Sequence, residues 1–181
     1  MEIISIFAHR LYSMSYDGDN RSIYNMLFER FKDLDYLESF FEQNKGFLED
    51  PTWSKCSVPE LAMQQVYEEA MDLEEWIEEL VKNSNNNVEP DLDSVFKCFG
   101  GRKYEMMWER IPMKMYGTQN PSLIRIYAIR LEKNCYIVTG GGIKLTKKLQ
   151  DTPGLGEEPI KQMDIALDYL KKESIIDADD I

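Results

Sequence analysis

The sequence holds few of the residues that ligate metals or form disulfides. It has one histidine, His9, and three cysteines, Cys56, Cys98 and Cys135, spaced 42 and 37 residues apart with no CxxC pair. Zinc modules and disulfide scaffolds are therefore excluded, and the odd count fits a reducing compartment in which each cysteine is a small buried hydrophobe. No apolar run approaches the roughly 18 residues of a membrane span. The opening stretch MEIISIFAHRLYSM is acidic at Glu2, and its apolar run stops at His9–Arg10, unlike a secretory leader. A cytoplasmic location is expected. No GxSxG elbow occurs. Gly140-Gly141-Gly142-Ile143-Lys144 lacks the spacing and the Ser/Thr of a phosphate loop, so it reads as a β-bulge or a strand exit. The DxD pairs at Asp17/Asp19, Asp33/Asp35 and Asp91/Asp93 lack a calcium loop's distal Glu and read as caps and turns. His9 stands alone, and no metal or cofactor is called for.

What is present is charge. In 181 residues, 33 acidic side chains oppose 21 basic ones for a net charge of -12. That total is uneven: residues 1–100 carry -13, residues 101–150 carry +7, and residues 151–181 carry -6. A basic block inside an acidic chain marks either an anion-binding face or a sheet neutralised by the acidic helices around it. With 43 % hydrophobic and 30 % charged residues, the chain is neither disordered nor fibrous, and its length suits one domain.

Periodicity orders the elements. Ile3 to Tyr16 reads as one bent strand or two short ones changing face near His9–Arg10, closed by Asp17-Gly18-Asp19-Asn20. Ile23, Tyr24, Leu27, Phe28 and Phe31 then form one helix face. Asp33 or Asp35 caps a second short helix carrying Leu37, Phe40 and Phe41, and residues 44–57 read as a loop. Ser57 caps a long helix that starts near Pro59. Its buried face is Ala62, Val66, Ala70, Leu73 and Ile77, its solvated face runs from Glu68 to Glu79, and it breaks at residues 83–87. A short helix falls within residues 91–99.

Strand character returns at Met106 to Tyr116 and at Ser122 to Leu131. In the latter, Ile124, Ile126 and Ala128 face one way while Arg125, Tyr127 and Ile129 face the other. A turn at residues 132–134 leads into Cys135 to Thr139. A last helix spans Pro159 to Lys172, buried through Ile160, Met163, Leu167 and Leu170. The expectation is one α+β domain: a small antiparallel meander flanked by several α-helices. Residues 1–100 form a strand plus helical elaboration, residues 101–172 the meander and C-terminal helix, and residues 173–181 a frayed tail.

The chemistry-bearing candidates lie on the meander. Arg125, Tyr127, Arg130, Lys144, Lys147 and Lys148 fall on adjacent strands and the exit loop. Such cations hold a phosphate and stabilise the charge that grows on it under attack by a 2′-OH. A tyrosine is a candidate for taking the hydroxyl proton, and Tyr116, Tyr127, Tyr136 or Trp108 for stacking on bases. Equally, long basic side chains cover the open face of a sheet or blunt its edge.

The stretch MMWERIPMKMYG…LIRIYAIRLEKNCYIVTGGGIKLTKKLQDTP, followed by a helix, resembles the core of RelE/HigB-like toxins, in the phage-derived HigB-like branch. Glu109-Arg110 stands for that branch's first signature and Ile124-Arg125-Ile126-Tyr127 for its second. The third is represented by Tyr136–Thr139 with Gly142–Thr146 and Thr152-Pro153. The likeness covers about residues 106–170, with Leu145 where the family has a second lysine. It implies a metal-independent mRNA interferase acting on mRNA at the ribosome, without cofactor, and neutralised by an antitoxin protein. Arg125 matches the strand arginine and Lys144 the first exit lysine. On this reading Arg125 and Lys144 hold the phosphate, Tyr127 orients or deprotonates the hydroxyl, and Arg130, Lys147, Lys148 and Tyr136 contact RNA. The alternative is a catalytically silent interaction module that binds protein through its acidic helices. A small-molecule enzyme with a pocket between sheet and helices is a third option.

Overall fold

The computed structural model describes residues 1–16, 20–98 and 111–181. The Asp17–Asp19 part of the first turn, and Trp108, Glu109 and Arg110 of the proposed signatures, lie outside the described residues. The N-terminal apolar run is two strands, β1 (Glu2–Phe7) and β2 (Leu11–Ser15), folded back at His9, which is exposed with φ 63°. Helix α1 (Ile23–Phe31) starts at Ser22, whose hydroxyl accepts from the Asn25 N–H, and buries Tyr24, Leu27, Phe28 and Phe31. Helix α2 (Leu34–Gln43) is capped by Asp33, as expected. Two short 3₁₀ turns, Lys45–Glu49 and Pro51–Trp53, then bring Trp53 into the core, where its indole N–H donates to the Leu145 carbonyl at 2.8 Å.

Helix α3 (Pro59–Asn86) departs from expectation at both ends. Its N-cap is Val58 rather than Ser57, and no side chain caps it. At the far end the asparagine run does not break it. Asn87 takes the left-handed conformation that closes a C-terminus, and buried Ser84 bonds back to the Leu80 carbonyl. Helix α4 (Leu92–Val95) is fixed by a reciprocal Asp91–Ser94 capping box. Then come β3 (Lys97–Cys98), β4 (Ile111–Tyr116), β5 (Ile124–Glu132), β6 (Cys135–Ile143) and helix α5 (Glu158–Lys172). In α5, Ile160 is exposed, and the buried stripe is carried by Met163, Ala166 and Leu170. Ile175 in the tail is also buried.

The α+β class holds. The sheet has six strands in the order β1-β2-β6-β5-β4-β3. β4, β5 and β6 form the expected antiparallel meander, but the sheet as a whole is mixed, because β2 runs parallel to β6 through Leu11–Ser13 and Tyr136–Val138. The alternation along β5 sorts its side chains as the sequence pattern requires. Ile124, Ile126 and Ala128 join a core under α1, α2 and α3, whereas Tyr127 and Ile129 join a second core under α5. Helices therefore cover both faces.

The glycine triplet explains how the helices pack so closely. β6 continues through it, with a bulge at Thr139 where the register against β5 slips. A Cβ on Gly141 would sit 2.7 Å from both Leu27 of α1 and the Arg125 carbonyl. One on Gly140 would strike Gln162 of α5 at 2.6 Å. Helices on opposite faces thus rest on bare backbone.

Candidate functional site

At the turn end of the β5–β6 hairpin, Asn134 takes φ 57° and reverses the chain. Its N–H donates to Asp93 Oδ1 (3.0 Å), its side-chain carbonyl accepts from the Asp93 N–H (2.9 Å), and its amide donates to Asp91 Oδ2 (2.9 Å). Asp93 also receives the Tyr136 hydroxyl at 2.6 Å and the Arg130 guanidinium at 2.7 Å. Tyr136 is fully buried and stacks on Phe96, with ring centroids 4.2 Å apart. Burial, and then its bond to Asp93, push its phenol well above the ordinary tyrosine range. Arg130 and Tyr136, two of the expected RNA contacts, are thus engaged in anchoring the hairpin to the start of α4.

The opposite end of the hairpin differs. Register places Tyr116 beside Arg125 and Arg125 beside Gly142, so Lys114, Tyr116, Arg125 and Lys144 share one sheet face. Half-buried Arg125 lies 4.1 Å over the Tyr116 ring, and its Nη1 donates to the carbonyls of Ser122 (2.9 Å) and Ile124 (2.6 Å). The Lys144 ammonium donates to the carbonyls of Thr146 and Lys147. Burial, the Arg125 charge and the Lys114 charge together push Lys144 below the usual lysine range. Arg125 is lowered as well, mainly by burial. Lys144 is thus close enough to Arg125 and Lys114 for their charges to disfavour its own, while Tyr116, Tyr127 and Glu69 oppose the lowering of Arg125.

Arg125, Lys144 and Lys147 line a cleft of about 180 Å³ whose other wall is Asp50, Thr52, Trp53 and Pro121. An open depression of about 450 Å³ adjoins it along Phe47, Thr146, Lys147 and Lys148. Lys147 and Lys148 are exposed. The Asp50 carboxylate is lowered chiefly by its bonds from Thr52, with a smaller contribution from Lys147.

The structure thus brings Arg125, Lys144, Lys147 and Lys148 together. It does not bring Tyr136 or Arg130 to them, and Tyr127, although near enough to Arg125 for their charges to interact, does not line the cleft. Tyr127 is 1 % exposed in the core beneath α5, and burial pushes its phenol up to about 12. Sequence reasoning missed the cleft's opposite wall, because residues 44–57 read as a loop and nothing linked Trp53 to Leu145. It also missed Lys114, and Glu69, which was assigned to the solvated face of α3. Glu69 is fully buried. It accepts from the Gln119 N–H at 2.9 Å and packs against Gly117, where a Cβ would fall 2.1 Å from its Oε1. Burial raises its carboxyl above the usual value. Of the cysteines, Cys56 and Cys135 are buried as expected, whereas Cys98 is exposed.

Among the described residues, no group of three His, Cys, Asp or Glu side chains is placed to hold a metal ion. No helix among them is long and apolar enough to cross a membrane. No family model, curated protein or solved structure matches this chain.

Proposed function

We propose that this chain is an RNA-binding protein of RelE/HigB-like type that holds a phosphate in the Arg125–Lys144–Lys147 cleft. The observation that carries the reading is three like charges, Lys114, Arg125 and Lys144, clustered at one end of the meander beside an open cleft. A phosphate relieves their repulsion and accepts several charge-assisted bonds. Lys148 extends the positive track, and Tyr116, 40 % exposed, offers a ring for a neighbouring base. If the bound strand is cleaved, Arg125 is the group suited to the charge developing on phosphorus. Lys144, whose ammonium is already pushed down, is better suited than buried Tyr127 to exchange the proton. An antitoxin that neutralises the protein would cover this cleft.

A second reading, the silent protein-binding module, is favoured by a different observation. α3 presents Asp72, Glu75 and Glu79 around partly buried Trp76 in an open depression of about 530 Å³. Tightly induced expression in a bacterial host separates the two. Growth arrest by the wild type that Arg125→Ala and Lys144→Ala relieve, with both variants folded and abundant, supports RNA attack. Normal growth at high soluble expression, with no retention of RNA, supports the module.

A further inference from the structure

Helix α3 carries one carboxylate that its packing does not call for. Glu69 is fully buried, and among the described residues its Oε2 has no hydrogen-bond partner. Keeping a carboxylate so enclosed is costly, and an apolar side chain would fill the place without that cost. Its other oxygen, Oε1, is fixed on residues 117–122, the connection from β4 to β5. It accepts the Gln119 N–H at 2.9 Å and leaves no room for a Cβ on Gly117. One turn earlier on α3, Gln65 donates to the Pro121 carbonyl of the same connection at 3.0 Å. Ser122 closes the connection on itself, its hydroxyl accepting the Gly117 N–H at 3.0 Å.

The two ends of this connection hold the Arg125 guanidinium. Tyr116, just before it, presents its ring to the guanidinium at 4.1 Å, and Ser122, at its close, supplies the carbonyl that accepts from Nη1 at 2.9 Å. Pro121 lines the cleft itself. We infer that Glu69 is the positioning residue of the phosphate cleft: by clamping Gln119 to α3 it keeps Tyr116 and Ser122 where they aim Arg125 at a bound phosphate. This rests on the phosphate binding proposed for the cleft. Lys144 is independent of the clamp, because its ammonium is held by the Thr146 and Lys147 carbonyls of its own exit segment. A clamp and a bare charge have effects of opposite sign. As a negative charge beside a cationic cleft, Glu69 weakens anion binding, and its removal would tighten it. As a clamp, its removal frees Arg125 and weakens binding.

The affinity of the full chain for a short single-stranded oligouridylate at about 50 mM salt tests this. Glu69→Ala is expected to bind about tenfold more weakly than wild type, the scale of one charge-assisted contact. Glu69→Gln, which keeps an oxygen for the Gln119 N–H, is expected to regain wild-type affinity or better. In an Arg125→Ala background Glu69→Ala should cost nothing further, whereas in a Lys144→Ala background its cost should remain. A general loosening of the fold would lower affinity alike in both backgrounds. The inference is overturned by a Glu69→Ala variant that binds as tightly as wild type or tighter, or whose cost is the same without Arg125. A Glu69→Gln variant as weak as Glu69→Ala overturns it too. In each of these cases weaker binding by Lys144→Ala leaves the phosphate cleft standing. A wild type that does not bind the oligonucleotide overturns the cleft assignment, and the inference with it. Should circular dichroism show Glu69→Ala to be unfolded, Glu69→Met, which fills the space without an acceptor, takes its place with the same readouts.

Discussion

The two ends of the β5–β6 hairpin carry similar residues to opposite purposes. At the turn, Arg130 meets Asp93, Tyr136 donates to the same carboxylate, and Asn134 is held by Asp91 and Asp93 at three points. Each charge there has a partner, and the network is folded into the core. At the other end, Arg125 and Lys144 satisfy themselves on backbone carbonyls of their own segments, with a third cation beside them. Residue type alone does not separate a structural arginine from a binding one. What separates them is whether a carboxylate from another element bonds the guanidinium directly, as Asp93 does Arg130, whereas Glu69 makes no bond to Arg125 and acts on it directly only through its charge. Asp93 reaches Arg130 because α4 is docked against the turn, and 37 residues of sequence separation hide that pairing.

The contrast can be broken most forcefully at Asp93. Asp93→Ala strands the Tyr136 hydroxyl and the Asn134 N–H together, and should cost about 3 kcal/mol. That would lower Tm by roughly 6–12 °C in a scanning calorimeter. Tyr136→Phe removes one bond of that network and keeps the stack on Phe96, so urea denaturation should show a loss of about 1–1.5 kcal/mol.

Acid should loosen the turn end. Although burial pushes the Asp91 carboxyl up, bonds from Asn134 and Ser94 hold it below the usual aspartate value of 3.8. A lowered folded-state pKa contributes stability that is present above 3.8 and lost as pH falls through the lowered value. The stability gap between wild type and Asp91→Asn should therefore narrow between about pH 5 and pH 2. At the open end the smallest change is expected: Lys147→Ala should leave unfolding within about 0.5 kcal/mol of wild type. Its effect should appear only in RNA affinity.

Much of the fold was legible because its signals are local. The β5 alternation, the α1 stripe, the Asp33 cap and the turn after β5 all follow from neighbours in sequence, and the α+β class follows from their order. What could not be read depends on contacts between distant segments. β2 alternates alike whether its partner is parallel or antiparallel, so nothing in its residues announced the pairing with β6. Ser57 is a better capping residue than Val58, yet the backbone begins helical geometry one residue later. The asparagines at 83–86 favour turns, but Ser84 finds buried partners in the Leu80 carbonyl and the Leu92 N–H, and the helix runs on. At the site, Arg125, Lys144, Lys147 and Lys148 were legible as a basic cluster on neighbouring strands. The burial of Tyr127 was not, since it depends on α5 lying across that face rather than leaving it open.

The most direct test of phosphate binding at the open end is the salt dependence of affinity for a short single-stranded RNA, measured for wild type, Lys144→Ala and Arg130→Ala. Wild type should bind with log K falling linearly against log salt. Lys144→Ala should bind more weakly, with a slope shallower by roughly 0.7, and Arg130→Ala, if folded, should keep the wild-type slope. No binding by wild type at about 50 mM salt, or an unchanged slope for Lys144→Ala, would contradict the assignment.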